Sequence, residues 1–334
     1  MTDTVKNNKL SQILAPIALE FKALDEVIRI RLASKVVLID QISTYIIQAG
    51  GKRVRPALLL LVAKALTNKP ETPHALEMAA VVEFIHTATL LHDDVVDEST
   101  LRRGRETANA AFGNAASVLV GDFLYSRAFQ MMIGPNNLRV MQILSDATNT
   151  IAEGEVLQLL NLNDPEVDEE SYLQVIRYKT AKLFEASAEL GAVLANADNT
   201  VREQAAAFGR HIGTAFQLMD DLLDYTANAA QMGKNAGDDL REGKPTLPLI
   251  YLLENGSAAE RLLVREAIEQ IHELPEDIFT QILQAVQISG ALDYTKAAAK
   301  REVNLALACL QDFPQNEATS VLHALCEYSL ARQT

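Results

Sequence analysis

The chain has 334 residues, 49% of them hydrophobic and 22% charged, with no tryptophan. That apolar share supports a large buried core and excludes intrinsic disorder, while only 15 glycines and 10 prolines argue against collagen-like or linker-rich architecture. A formal charge of -14 repels nucleic acid and anionic membrane in bulk, so no nucleic-acid partner is expected, and an anionic ligand needs clustered cations or a metal.

Residues 1–10 are polar, carry two lysines and lack the apolar core of a secretory leader; no apolar run approaches the ~18 residues of a membrane span. Helical periodicity then runs through Leu10 to Ile47, Ala57 to Leu66, Ala75 to Val96 and Ala116 to Met132. It continues through Val140 to Leu162, Tyr172 to Leu194 and Ala205 to Tyr225. No stretch alternates as a strand. The breaks carry stop signals: Gly50-Gly51, Gly134-Pro135-Asn136-Asn137, and Asn163-Asp164-Pro165 ahead of an acidic helix start at Asp168. One long irregular segment, Gly233 to Pro248, mixes three acids with three cations, and further amphipathic helices follow it. No linker divides the chain, so an all-α bundle forming one domain over residues 1–334 is expected. Cys309 and Cys326 sit among leucines and alanines as small hydrophobes, which fits a reducing, cytoplasmic setting.

One short string occurs twice: Asp-Asp-x-x-Asp, as Asp93, Asp94, Asp97 and again as Asp220, Asp221, Asp224. On a helix these positions lie at about 0°, 100° and 40°, so each trio shares one face and its carboxylates are expected to converge. Three like charges together call for a cation, and hard divalent metals such as magnesium take carboxylate and phosphate oxygens. A single acidic trio most often marks a solvated face. Here both trios are embedded in apolar residues, Leu90, Leu91, Val95 and Val96 around the first and Leu218, Met219, Leu222 and Leu223 around the second, which points each face into a cleft.

Basic clusters supply the complement. Lys52, Arg53 and Arg55 follow a Gly-Gly hinge at a helix start, and Arg102, Arg103 and Arg105 come just after the first trio. Guanidinium forks bind phosphate bidentately, so trios and arginines together read as a metal-plus-arginine clamp on a diphosphate. Lys179, Thr180, Lys234 and Lys244 are weaker candidates, each close to an ordinary surface lysine or capping threonine. His86 and Gln217 share the acidic faces; His92 and His211 read as structural. A rival pattern, Glu83-x-x-His86 with Glu269-x-x-His272, matches the spacing of di-iron carboxylate bundles, but such a site has no use for clustered arginines.

Taken together, GGKRVRP, LLHDDVVDESTLRRG, GDFLYSRAF, KTAKLFEAS, FQLMDDLLDY and GKNAGDDLREGKPTLPL resemble the trans-prenyl diphosphate synthases over nearly the whole chain, and within them the bacterial octaprenyl-forming enzymes. The resemblance implies an isoprenoid-synthase-type helical bundle around a deep central cavity, with the two trios across its mouth holding about three magnesium ions on an allylic diphosphate. It implies metal roles for Asp93, Asp94, Asp97, Asp220, Asp221 and Asp224. Arg102, Lys179, Lys234 and Lys244 would neutralise the allylic diphosphate, while Lys52, Arg55, His86 and Arg103 would hold isopentenyl diphosphate. Thr180 and Gln217 would point oxygen dipoles at an allylic cation, which places Lys179, Thr180 and Gln217 in the catalytic set.

The family's short-product members carry bulky aromatics just before the first motif. Small Ala88 and Thr89 at those positions imply a long product, and Phe129, Met131 and Met132 are candidates for a deeper floor or for plain core packing. The expectation is therefore a homodimeric transferase that makes the octaprenyl side chain of a quinone. Heptaprenyl or solanesyl products, a non-catalytic partner subunit and the di-iron bundle stand as alternatives.

Overall fold

The computed structural model describes residues 9–48, 50–67, 72–102, 104–226, 237–269 and 275–332. Arg103, Lys234 and His272 lie outside them. The fold is all-α. After a short helical stretch over residues 9–13 and a 3-10 turn at Ala15–Ile17 come α1 (Ala18–Leu32), α2 (Val37–Gln48), α3 (Val54–Leu66) and α4 (Ala75–Val96). Then come α5 (Ala108–Phe112), α6 (Asn114–Met132), α7 (Leu138–Asn161) and α8 (Glu169–Ile176), a π-helical turn over Arg177–Ala181, and α9 (Lys182–Leu194). The chain continues with α10 (Asn199–Asp224), α11 (Asp238–Arg241), α12 (Leu247–Asn255), α13 (Ala258–Glu269), α14 (Glu276–Ile288), α15 (Ala291–Cys309) and α16 (Glu317–Ala331).

Three local features depart from the periodicity. The apolar run from Leu10 to Ile47 is interrupted where Ala33, at φ -52° and ψ 128°, turns the chain out of α1. A two-residue hairpin, Leu101–Arg102 against Arg105–Glu106, follows the first acidic trio; it is too short to show alternation, and Gly104 at φ +71° turns it. Within the segment read as irregular, Asp238–Arg241 forms one helical turn and α12 begins at Leu247.

The chain forms two compact units, each assembled from three segments. Unit 1 comprises residues 1–148, 183–209 and 309–325. Its centre is α4, 22 residues without glycine or proline, packed against α1, α3 and α6. Because α4 is surrounded, its buried positions are spread around the helix, among them Met78, Val81, Val82, Phe84, Ile85, Ala88 and Leu91. α3 shows the same pattern from Pro56 through Ala63.

Unit 2 comprises residues 149–182, 210–308 and 326–334. One of its cores gathers Tyr225, Leu240, Leu249, Val264, Phe279 and Ile282 from the end of α10 through α14. Another joins Tyr172 and Ile176 of α8 to Leu218, Met219 and Leu222 of α10 and Ala298 and Ala299 of α15. This second core anchors the last turns of α10, where the second acidic trio lies.

Candidate active site

Each trio sits at a helix C-terminus. Asp93 and Asp94 lie in the last turn of α4, with Asp97 at its cap, and Asp224 is the last residue of α10. The macrodipole is negative there, so helix and carboxylates repel together and a cation is favoured. Helix angles alone do not show this, because they are blind to where a helix stops.

In unit 1, Asp94 is buried and paired with Arg102, whose Nε and Nη2 reach Oδ1 at 2.8 and 2.7 Å. The hairpin places that arginine. Thr107 caps α5 and donates to the Ser99 carbonyl at 2.7 Å, and Asn109 Nδ2 donates to the Asp94 and Ser99 carbonyls, so the segment after the trio is tied back to the end of α4. Arg55 Nη1 lies 3.1 Å from His86 Nε2, and its guanidinium stacks 4.5 Å from the Phe184 ring centre. These contacts bring Arg55 and His86 together. Arg53 is turned away at φ +48° and pairs with Asp25 of α1. A pocket in unit 1 opens beside this group and is lined by Thr87, Leu90 and Asp94 of α4, by Arg102 and Arg105, and by Tyr45. Phe84 also lines it, whereas Ala88 and Thr89 do not. Thr89 turns its hydroxyl back to the His86 carbonyl at 2.8 Å, and Ala88 is fully buried. Met131 and Met132 are core residues, whereas Phe129 is exposed.

In unit 2 the second trio is embedded in donors. Asp221 is buried and accepts from Tyr172 Oη at 2.5 Å and Gln217 Nε2 at 2.7 Å. Gln217 in turn accepts from Thr180 Oγ1 at 3.1 Å, which makes a chain from the π turn to the trio. Asp224 accepts from the Asp239 backbone N–H at 3.1 Å, while Asp220 pairs with Arg332. Burial, with the charge of Asp239 next, holds Asp221 well above the usual carboxylate range and pushes Asp224 up to about 8. The π turn carries Lys179, whose Nζ reaches Glu155 Oε2 at 2.6 Å. Gly154 makes this turn possible, since a Cβ there would stand 2.6 Å from the Lys179 backbone nitrogen. Lys244 pairs with Glu242 at 2.6 Å.

Residues 36–286 match the family model described as polyprenyl synthetase. The chain belongs to the polyprenyl synthetase family. It is 49% identical over 302 residues to the octaprenyl diphosphate synthase of Escherichia coli (strain K12), covering 90% of this chain and 92% of the relative. It is 45% identical over 320 residues to the all-trans-nonaprenyl-diphosphate synthase (geranyl-diphosphate specific) of Rhodobacter capsulatus, covering 96% and 97%. The crystal structure of a polyprenyl synthase from Caulobacter crescentus CB15, complexed with calcium and isoprenyl diphosphate, superposes with a TM-score of 0.92 at 40% identity, covering 97% of this chain and 98% of that one. The protein is a prenyltransferase that makes polyprenyl diphosphates.

The donor chemistry of this polyprenyl synthetase fits a hard divalent cation, but not as a preformed cage. Among the described residues no three His, Cys, Asp or Glu side chains stand close enough to hold a metal by themselves. Four of the six carboxylates are engaged elsewhere, Asp94 by Arg102, Asp220 by Arg332, Asp221 by Tyr172 and Gln217, and Asp224 by the Asp239 N–H. A small hard cation such as magnesium suits this arrangement, because it takes one or two carboxylates and completes its shell with phosphate oxygens and water. Burial and the neighbouring charge of Asp239 hold the carboxyls of Asp221 and Asp224 up, a strain that such a cation relieves. Sequence reading missed Tyr172, Glu155 and Arg332. Tyr172 occupies an ordinary apolar position of α8, and the partners of all three are remote in sequence or in an adjoining helix, so no local signal marks them.

Proposed function

We propose that the protein is an octaprenyl diphosphate synthase that condenses isopentenyl diphosphate stepwise onto an allylic primer such as farnesyl diphosphate, for the side chain of a quinone. The observation that carries the chain length is the 49% identity to an octaprenyl diphosphate synthase. The small Ala88 and Thr89 before the first trio agree with a long product.

Arg102, Lys179, Lys244 and Lys234 neutralise the allylic diphosphate, and Lys52, Arg55, His86 and Arg103 hold isopentenyl diphosphate. Arg55 and His86 support this assignment by their contact at 3.1 Å. Asp93, Asp94, Asp97, Asp220, Asp221 and Asp224 would hold magnesium, about three ions per site, which would supply positive charge to the departing diphosphate. As the allylic C–O bond ionises, Thr180 faces the carbocation with oxygen lone pairs, because its proton is committed to Gln217. The isopentenyl double bond attacks the cation, and the released diphosphate removes the proton that restores the alkene. Gln217 holds Thr180 in this role and is held by Asp221.

A homodimer in the cytoplasm completes the reading. A second copy would cover the exposed Leu119 and Phe129 of α6 and the exposed Ile133 and Leu138 that follow. Cys309 and Cys326 form no disulfide, and no helix among the described residues is long and apolar enough to cross a membrane. The test is incubation of the purified protein with farnesyl diphosphate, radiolabelled isopentenyl diphosphate and magnesium, with and without chelator, followed by chain-length analysis. A C40 product that chelation abolishes is expected. A different single length overturns the octaprenyl assignment, and no incorporation with any primer overturns the catalytic reading.

A further inference from the structure

Arg332 follows the last residue of α16 and is buried, its side chain only 4% exposed. One of its nitrogens, Nη2, pairs with Asp220, the first carboxylate of the second trio, 112 positions earlier in the chain. The plane of the guanidinium rests 3.7 Å from the centre of the Phe216 ring, one helical turn before Asp220. The other two nitrogens, Nε and Nη1, are buried and make no hydrogen bond. Arginine stays charged and carries five N–H donors, so a guanidinium with one carboxylate contact and two idle nitrogens is under-used in this arrangement. Asp220 supplies too few oxygens to satisfy it, and a diphosphate supplies several in the fork geometry that arginine matches.

We infer that Arg332 is a positioning residue that serves as an internal counter-cation: it occupies the Asp220 carboxylate in the substrate-free protein, competes there with divalent metal, and passes to the diphosphate when substrate binds. This rests on the reading of the second trio as metal-linked. The competition makes metal binding at the trio depend on the arrival of a diphosphate. A metal ion and a guanidinium cannot share the same carboxylate oxygen without strong repulsion, so the trio alone holds its cation weakly. Once an anion accepts the Nε and Nη1 donors, the carboxylate is released to the metal.

The experiment uses the full chain and reads binding, separately from turnover. Mn2+ alone is titrated by following the electron paramagnetic resonance of the free ion, and inorganic diphosphate alone is titrated by calorimetry in excess chelator. For R332Q the affinity for Mn2+ is expected to rise about fivefold or more, as loss of one nearby positive charge requires, and the affinity for diphosphate to fall. Phe216→Leu removes the stacking surface, keeps the charge and is expected to raise Mn2+ affinity as well; it carries the test if R332Q does not fold. Unchanged Mn2+ affinity in both variants, even with a lowered melting temperature, overturns the inference and leaves Arg332 as an anchor of the C-terminus. Unchanged diphosphate affinity in R332Q overturns the transfer to substrate. Asp221→Asn separates the two levels of argument: if it leaves Mn2+ binding intact, the metal reading of the trio fails whatever Arg332 does.

Discussion

Replacing Asp224 by asparagine should stabilise the metal-free protein, and the gain should depend on pH. Asp224 is buried at the end of α10, where burial and the neighbouring Asp239, Asp238 and Asp221 push its carboxyl up to about 8. A carboxyl whose folded-state pKa lies above its unfolded value favours folding while it keeps its proton. That contribution is complete below about pH 4 and is lost as pH rises to about 8. The asparagine amide would keep an acceptor for the Asp239 N–H, now 3.1 Å from the Asp224 Oδ2, while removing the charge. One like-charge contact at partly solvated separations amounts to about 1–3 kcal/mol, which for a chain of 334 residues corresponds to roughly 1.5–4 °C in melting temperature. In chelator at pH 9 the variant should therefore melt higher by that amount, and at pH 5.5 by less than about half of it. Magnesium added at pH 9 should raise the melting point of the natural protein more than that of the variant. Differential scanning calorimetry measures all three. An equal change at both pH values, or a lower melting point at pH 9, refutes the account of a crowded carboxylate.

Two further predictions follow from the packing. Gly154→Ala places a Cβ 2.6 Å from the Lys179 backbone nitrogen, so the π turn that carries Lys179 and Thr180 must shift. A fall in kcat of about ten- to a hundredfold with a retained circular dichroism spectrum is expected, and unchanged kcat would separate the turn from the chemistry. Thr89→Phe puts a bulky aromatic just before the first trio; chain-length analysis should show a shorter product, and an unchanged length overturns the reading of small Ala88 and Thr89 as permitting a long one.

Most of the helical framework was legible because its signal is local. In α4, an unbroken run of 22 residues without a helix breaker leaves one reading, and the stop signals at Gly50-Gly51 and Asn163-Asp164-Pro165 fall in breaks between helices. The hairpin at Leu101–Glu106 escaped notice because two residues per strand cannot show a period. The π turn at Arg177–Ala181 escaped because its cause, the close approach of Gly154, lies in another helix. Of the basic cluster at residues 52–55, the sequence offers three equivalent cations, yet only the folded chain turns Arg53 to Asp25 and brings Arg55 onto His86.

Residue type and three- and four-residue spacing were enough to give the helical class, the position of each acidic trio and the presence of cations to match it. The partner of each charge came from packing instead. Arg102 goes to Asp94, Tyr172 and Gln217 to Asp221, and Arg332 to Asp220. The difference is one of reach: helical periodicity is set within a turn, whereas Tyr172 meets Asp221 across 49 positions and Arg332 meets Asp220 across 112, contacts that exist only once the helices of unit 2 have packed.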